Sequence, residues 1–167
     1  KAPLLNRHLL GQAKRIVVKV GSSSLTLPDG NLNSVQLAEL AAVLSAAHMR
    51  GQQVVLVSSG ATAAGLAPLG LNGKPGEMPL HQAAAMVGQL RLMAAYQAEF
   101  AKAGITIGQV LLTAEDVVNR RHYANAQSAL STLLSLGIIP IVNENDAVVT
   151  DELRFGDNDR LAALTSH

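Results

Sequence analysis

Along the chain, short unbroken apolar runs alternate with longer stretches in which apolar positions recur every three or four residues. The first run, Arg15–Val20 (RIVVKV), is β-branched and leads straight into Gly21-Ser22-Ser23-Ser24, the pattern of a buried strand entering a flexible turn. Asn33 with Gln36 three residues on resembles a capping box, and Leu37, Leu40, Ala41 and Leu44 then share one face of a helix ending near Gly51. Gln53–Ser58 (QVVLVS) predicts a second buried strand broken by Gly60, with a short helix over 61–66 and a turn-rich stretch over 68–79. A long helix is expected over 80–103, with Leu90, Met93, Ala94 and Gln97 at helical spacing and Gly104 as its stop. Residues 105–112 read as a third strand. Thr113 and Asp116 form another capping-box pattern, a helix follows over 124–136, and Gly137 separates it from a fourth strand over 138–142.

Strands and helices that alternate, with strands apolar almost throughout, imply right-handed crossovers and a mostly parallel sheet covered on both faces. The predicted fold is α/β, a three-layer αβα sandwich. A chain of 167 residues buries about 70% of the surface it exposes when unfolded, enough for one domain with a genuine core. Hydrophobic residues at 49% against charged residues at 15% fit such a layered globule and argue against disorder.

Charge and composition exclude several partner classes. Thirteen basic and twelve acidic residues leave a net charge of +1, no Lys/Arg run exceeds two, and aromatics amount to 2%, so no nucleic-acid footprint is visible. No apolar run reaches membrane-spanning length, and Asn6, Arg7 and His8 interrupt the apolar start. The sequence contains no Cys, which removes thiol catalysis and thiolate zinc sites, and the cytoplasm is the default expectation.

In open parallel sheets ligands bind beyond the carboxyl ends of the strands. Those ends carry Lys19-Val20-Gly21-Ser22, Ser58-Ser59-Gly60-Ala61, the segment from Thr113, and Asn143-Glu144-Asn145-Asp146. The glycine-containing loops can bring backbone N–H groups close to an anion, phosphate above all, although neither a P-loop motif nor a dinucleotide fingerprint is present. Lys19, a cation inside an apolar strand, either serves a ligand or reaches solvent from the strand end. The clusters Asn143 to Asp146 and Gly156-Asp157-Asn158-Asp159 have three readings. They can bind an amino acid, carboxylates taking its ammonium and amides its carboxylate, they can orient metal-bound phosphates, or they can serve turns and helix caps. The spacing lacks a calcium-loop pattern, and the five His are scattered, which disfavours metal or Ser-His catalysis. Arg120-Arg121 either touches an anionic ligand or, the favoured reading, is a solvated helix start, and Met78, Met86 and Met93 read as packing residues.

In this order, VVKVGSSSLT, VLVSSGATAAG, GQVLLT, PIVNENDAV and FGDNDRLAAL resemble the glutamate 5-kinases of the amino-acid kinase superfamily, over residues 16–164. The resemblance implies ATP-dependent phosphorylation of the L-glutamate side-chain carboxylate, the first step of proline biosynthesis, with Mg²⁺ carried by the nucleotide. It implies that Lys19 contacts the transferring phosphates and that Ser59, Asp146 and Asn158 hold glutamate. It also gives Asp159 the organisation of the catalytic lysines, and Gly21, Ser22 and Gly60 the backbone donors to phosphate. Residues 1–167 are then expected to be the amino-terminal, glutamate-binding part of the kinase domain, without the carboxy-terminal nucleotide-binding part, and inactive when isolated. The alternative expectation is an amino-acid-binding or assembly module without turnover. Proline as feedback inhibitor and a homo-oligomer are further expectations of the resemblance, with no nucleic-acid or membrane partner.

Overall fold

The computed structural model describes residues 11–73, 76–148 and 162. Four strands, β1 (Arg15–Val20), β2 (Gln53–Ser58), β3 (Ile107–Leu112) and β4 (Ile139–Glu144), form one parallel sheet in the order β1-β2-β4-β3. Between them run the helices α1 (Ser22–Leu25), α2 (Ser34–Met49), α3 (Ala61–Leu66), α4 (Met78–Ala101), α5 (Ala114–Val118) and α6 (Arg120–Ser135), and a 3₁₀ turn, Ala67–Leu69, extends α3.

Side chains alternate across a strand, so each strand feeds two cores. Val54, Leu56, Ile139 and Ile141 meet Leu37, Ala41 and Leu44 of α2 and Leu92, Tyr96 and Phe100 of α4 on one face. On the other, Val55, Val57 and Val142 meet Leu130 and Leu134 of α6. Helix layer, sheet and helix layer make the αβα sandwich expected from the alternation. The helices from β1 to β2 and from β2 to β3 lie on the first face, whereas α6 returns from β3 to β4, in the opposite direction across the sheet, on the second. Reversing both direction and face keeps every crossover the same hand.

Several boundaries differ from the sequence reading. The serines after Gly21 close one helical turn instead of staying a flexible turn. Helix α6 begins at Arg120 rather than 124, because the Asn119 side chain accepts hydrogen bonds from the N–H groups of Arg121 and His122 and caps it there. Strand β4 extends through Asn143 and Glu144, both buried. The expected stripe of α4 has the wrong phase: Leu90 is 75% exposed and Met86 57%, while Ala84, Ala85, Gly88, Leu92, Tyr96 and Phe100 turn inward. Two apolar stripes run along this helix, and the larger aromatics decide which one is buried.

Two glycines bring a pair of helices into very close contact. A Cβ on Gly65 of α3 would lie 1.8 Å from the Ala84 carbonyl oxygen, and one on Gly88 of α4 would lie 1.6 Å from that of Ala61. The two helices therefore touch backbone to backbone, each through its own glycine. Arg91 Nη1 adds a hydrogen bond to the Ala64 carbonyl at 2.7 Å.

Candidate functional site

Lys19 is the penultimate residue of edge strand β1, in register with Val57. Alternation puts it on the same face as Val17, toward the α6 layer, and its side chain is exposed. Gly21 caps α1 with extended backbone, and Ser22 opens the turn, its carbonyl accepting from the Thr26 N–H at 3.1 Å. The loop after β2 lies against this one. The Ser59 N–H donates to the Val20 carbonyl at 3.0 Å, and Gly60 sits at φ +101° with its Cα facing Ser22, where an added Cβ would come to 3.4 Å from the Ser22 Cα. Only glycine takes that backbone readily, so Gly60 lets the second loop fold onto the first. It also starts α3, whose first N–H groups lack helical partners and can serve an anion.

A buried relay supports Ser59 from below. Ser58 Oγ donates to the Ser59 carbonyl at 3.2 Å and lies 2.9 Å from the Tyr96 hydroxyl, so the phenol supplies the proton of the second bond. Burial pushes the Tyr96 phenol up to about 12, against a smaller opposing effect of the bond to Ser58.

At the end of β4, the Asn145 N–H donates to the Leu112 carbonyl at 2.9 Å, and a turn closed by the Val148 N–H on the Asn145 carbonyl at 3.2 Å carries Asp146, half-buried. A cleft of about 320 Å³ opens beside it. Its lining includes Ala61 at the start of α3, Asp146, Gln89 and the apolar wall of Met86, Leu90 and Met93. Asn143, buried beneath, donates from Nδ2 to Gln89 Oε1 at 3.0 Å and accepts the Glu144 N–H at Oδ1 at 2.8 Å. Beyond β3, Thr113 and Asp116 form a reciprocal capping box, with the Thr113 N–H donating to Asp116 Oδ2 at 2.8 Å. That bond leads in holding the Asp116 carboxyl below its usual range, with Thr113 Oγ1 and His122 adding to it.

The fold thus joins Gly21 and Ser22 directly to Ser59 and Gly60, sets Lys19 two residues upstream, and brings Asp146 into a cleft that reaches α3. Asn158 and Asp159 lie outside the described residues, as does the expected helix around Ala162 apart from Ala162 itself, which is helical. Among the described residues no three His, Cys, Asp or Glu gather closely enough to hold a metal ion. Met86, expected to be a packing residue, is instead an exposed wall of the cleft. Arg120 and Arg121 are exposed at the start of α6, as expected. Gln89, Tyr96, Gly65 and Gly88 carried no sequence signal of their own, since each needs the α3–α4 packing or the α4–sheet contact to show its role.

Residues 14–167 match the profile of the Amino acid kinase family. The chain belongs to that family. Among amino acid kinases it is 57% identical over 161 residues to a glutamate 5-kinase of Thermobifida fusca, covering 96% of this chain and 42% of the relative. It is 58% identical over 163 residues to the glutamate 5-kinase of Streptomyces coelicolor, covering 96% and 43%, and 49% identical over 159 residues to that of Geobacter metallireducens, covering 95% and 43%. The chain therefore spans less than half the length of these glutamate 5-kinases. Among the described residues no helix is long and apolar enough to cross a membrane.

Proposed function

We propose that this chain is the amino-terminal, glutamate-binding part of a kinase domain that phosphorylates the side-chain carboxylate of L-glutamate with ATP, giving γ-glutamyl phosphate for proline biosynthesis in the cytoplasm. The observation that carries it is the cleft joining Asp146 to the start of α3, next to the touching loops of Gly21-Ser22 and Ser59-Gly60, in a chain 57% identical to a glutamate 5-kinase. Ser59, Asp146 and Asn158 would hold the amino acid, Asp146 taking its ammonium. Gly21, Ser22 and Gly60 would offer backbone donors to phosphate, and Asp159 would orient the lysines.

A side-chain carboxylate is ionised at neutral pH, so it attacks without a base. Its oxygen bonds to the γ-phosphorus as the bond to the bridging oxygen breaks and ADP departs. Little covalent work falls to the protein, which aligns the two partners and offsets charge on the phosphoryl oxygens. Lys19, at the mouth of β1, would stabilise that charge. Mg²⁺ would arrive with the nucleotide and neutralise part of its charge; no described group of acidic or imidazole side chains would hold it independently. Proline as a feedback ligand and self-association belong to the same proposal and are supported by the resemblance alone.

Calorimetric titration with L-glutamate, followed by a Mg·ATP assay on the same sample, tests it. Binding that Asp146→Ala abolishes is the expected result. Glutamate binding without phosphorylation would support the module lacking turnover. A folded chain that ignores glutamate would sink the substrate assignment.

A further inference from the structure

We infer that Gln89 is a further amino-acid-binding residue, presenting its side-chain N–H groups to a carboxylate of the ligand whose ammonium Asp146 takes. This rests on the amino-acid site proposed above and extends it to the α4 wall of the cleft.

The polarity of one hydrogen-bonded chain carries the inference. The Glu144 main-chain N–H can only donate, and at 2.8 Å it requires an acceptor, which makes the near atom of the Asn143 amide its oxygen. The Asn143 nitrogen is then fixed on the other side, and its 3.0 Å partner on Gln89 must be the Gln89 oxygen. A backbone amide thereby sets the orientation of two side-chain amides that geometry alone leaves ambiguous. Asn143 is 3% exposed, so neither of its bonds is readily exchanged for water. With Oε1 committed to Asn143, what Gln89 offers to the cleft it lines is the Nε2 donor pair. The Asp146 carboxylate, in the same lining, can only accept. Donor and acceptor in one small cleft with apolar walls match the carboxylate and ammonium of a free amino acid. A cationic ligand without an acceptor oxygen would leave the donors unused, and a carboxylate meets them with a charge-assisted bond.

Two substitutions separate this role from a structural one. Gln89→Glu keeps an acceptor for Asn143 and removes the donors, and Gln89→Met removes both. Titrating the full chain with L-glutamate, Gln89→Glu should weaken binding at least about tenfold, the loss of a charge-assisted hydrogen bond, with a melting midpoint within about 2 °C of wild type. Gln89→Met should lose comparable affinity and also melt lower, because it strands the buried Asn143 nitrogen. Binding by Gln89→Glu within about threefold of wild type would overturn the inference. So would a fall in its melting midpoint equal to that of Gln89→Met. If the wild-type chain itself binds no L-glutamate, the amino-acid site fails and this assignment with it. Wild-type binding with Gln89→Glu unchanged removes Gln89 alone.

Discussion

At the level of single residues, position separates an exposed cation from a buried liability. Lys19 stands near the end of an edge strand with its side chain exposed, where a cation escapes the burial that a central strand would impose. Lys19→Ala should raise the barrier of the proposed transfer by ~3 kcal/mol or more, roughly a hundredfold in rate, with glutamate affinity little changed, as steady-state kinetics and calorimetry would show. Tyr96 makes a pH prediction. Its phenol stays neutral in the folded chain up to about 12, against 10.0 when unfolded, so deprotonation favours the unfolded chain in between. Stability should be fully present below pH 10.0 and fall as pH rises from there toward 12, by ~2–3 kcal/mol in denaturant titrations. Tyr96→Phe should flatten that fall while lowering neutral-pH stability by about 1 kcal/mol. The candidate site was legible in the sequence where chemistry concentrates in short loops, as in Gly21, Ser59 and Asp146. Gln89 and Tyr96 were not, because a glutamine and a tyrosine inside a long helix look like any others until the strand residues they meet, Asn143 and Ser58, are known.

For the helices, legibility followed the strength of local signals. The Thr113 to Asp116 box closes as its spacing predicts, and the Asn33 cap forms on the Gln36 N–H at 3.2 Å. There the second half fails, since the Gln36 side chain turns to Glu39 at 3.3 Å. The face of α4 was misassigned because apolar residues line two sides of it, and only contact with the sheet and α3 selects one. Gly65 and Gly88 are the sharpest test of that contact. Gly88→Ala would place a methyl 1.6 Å from the Ala61 oxygen and must push α3 away, carrying Gly60 with it. We expect a loss of roughly 2–4 kcal/mol in chemical denaturation together with weakened ligand binding. Gly76→Ala, where an added Cβ meets nothing within 4 Å, should leave both near wild type.

Across the described residues, the candidate site draws on both halves of the sheet, loops after β1 and β2 on one side and the turn after β4 on the other. The seam lies between β2 and β4, in register at Leu56↔Ile141 and Val57↔Val142, while β1 with β2 and β3 with β4 each pair over six positions. A ligand gripping both sides should therefore protect the seam. L-glutamate at a hundred times its Kd should add about 2.7 kcal/mol of stability, with amide exchange slowed at Leu56, Val57 and Val142 beyond the change in β1.

That strand order also bears on how the protein is made. Of the described strands β4 is synthesised last, yet it belongs between β2 and β3. On the ribosome, β1, α2 and β2 can pair as soon as they emerge, but β2, apolar from Val54 to Val57, then presents an open edge while α4, β3 and α6 are still being added. The nascent chain must hold that gap open and unclaimed until its central strand arrives. Translation pauses or holdase chaperones acting before residue 139 should thus matter more to its yield than anything that happens afterwards.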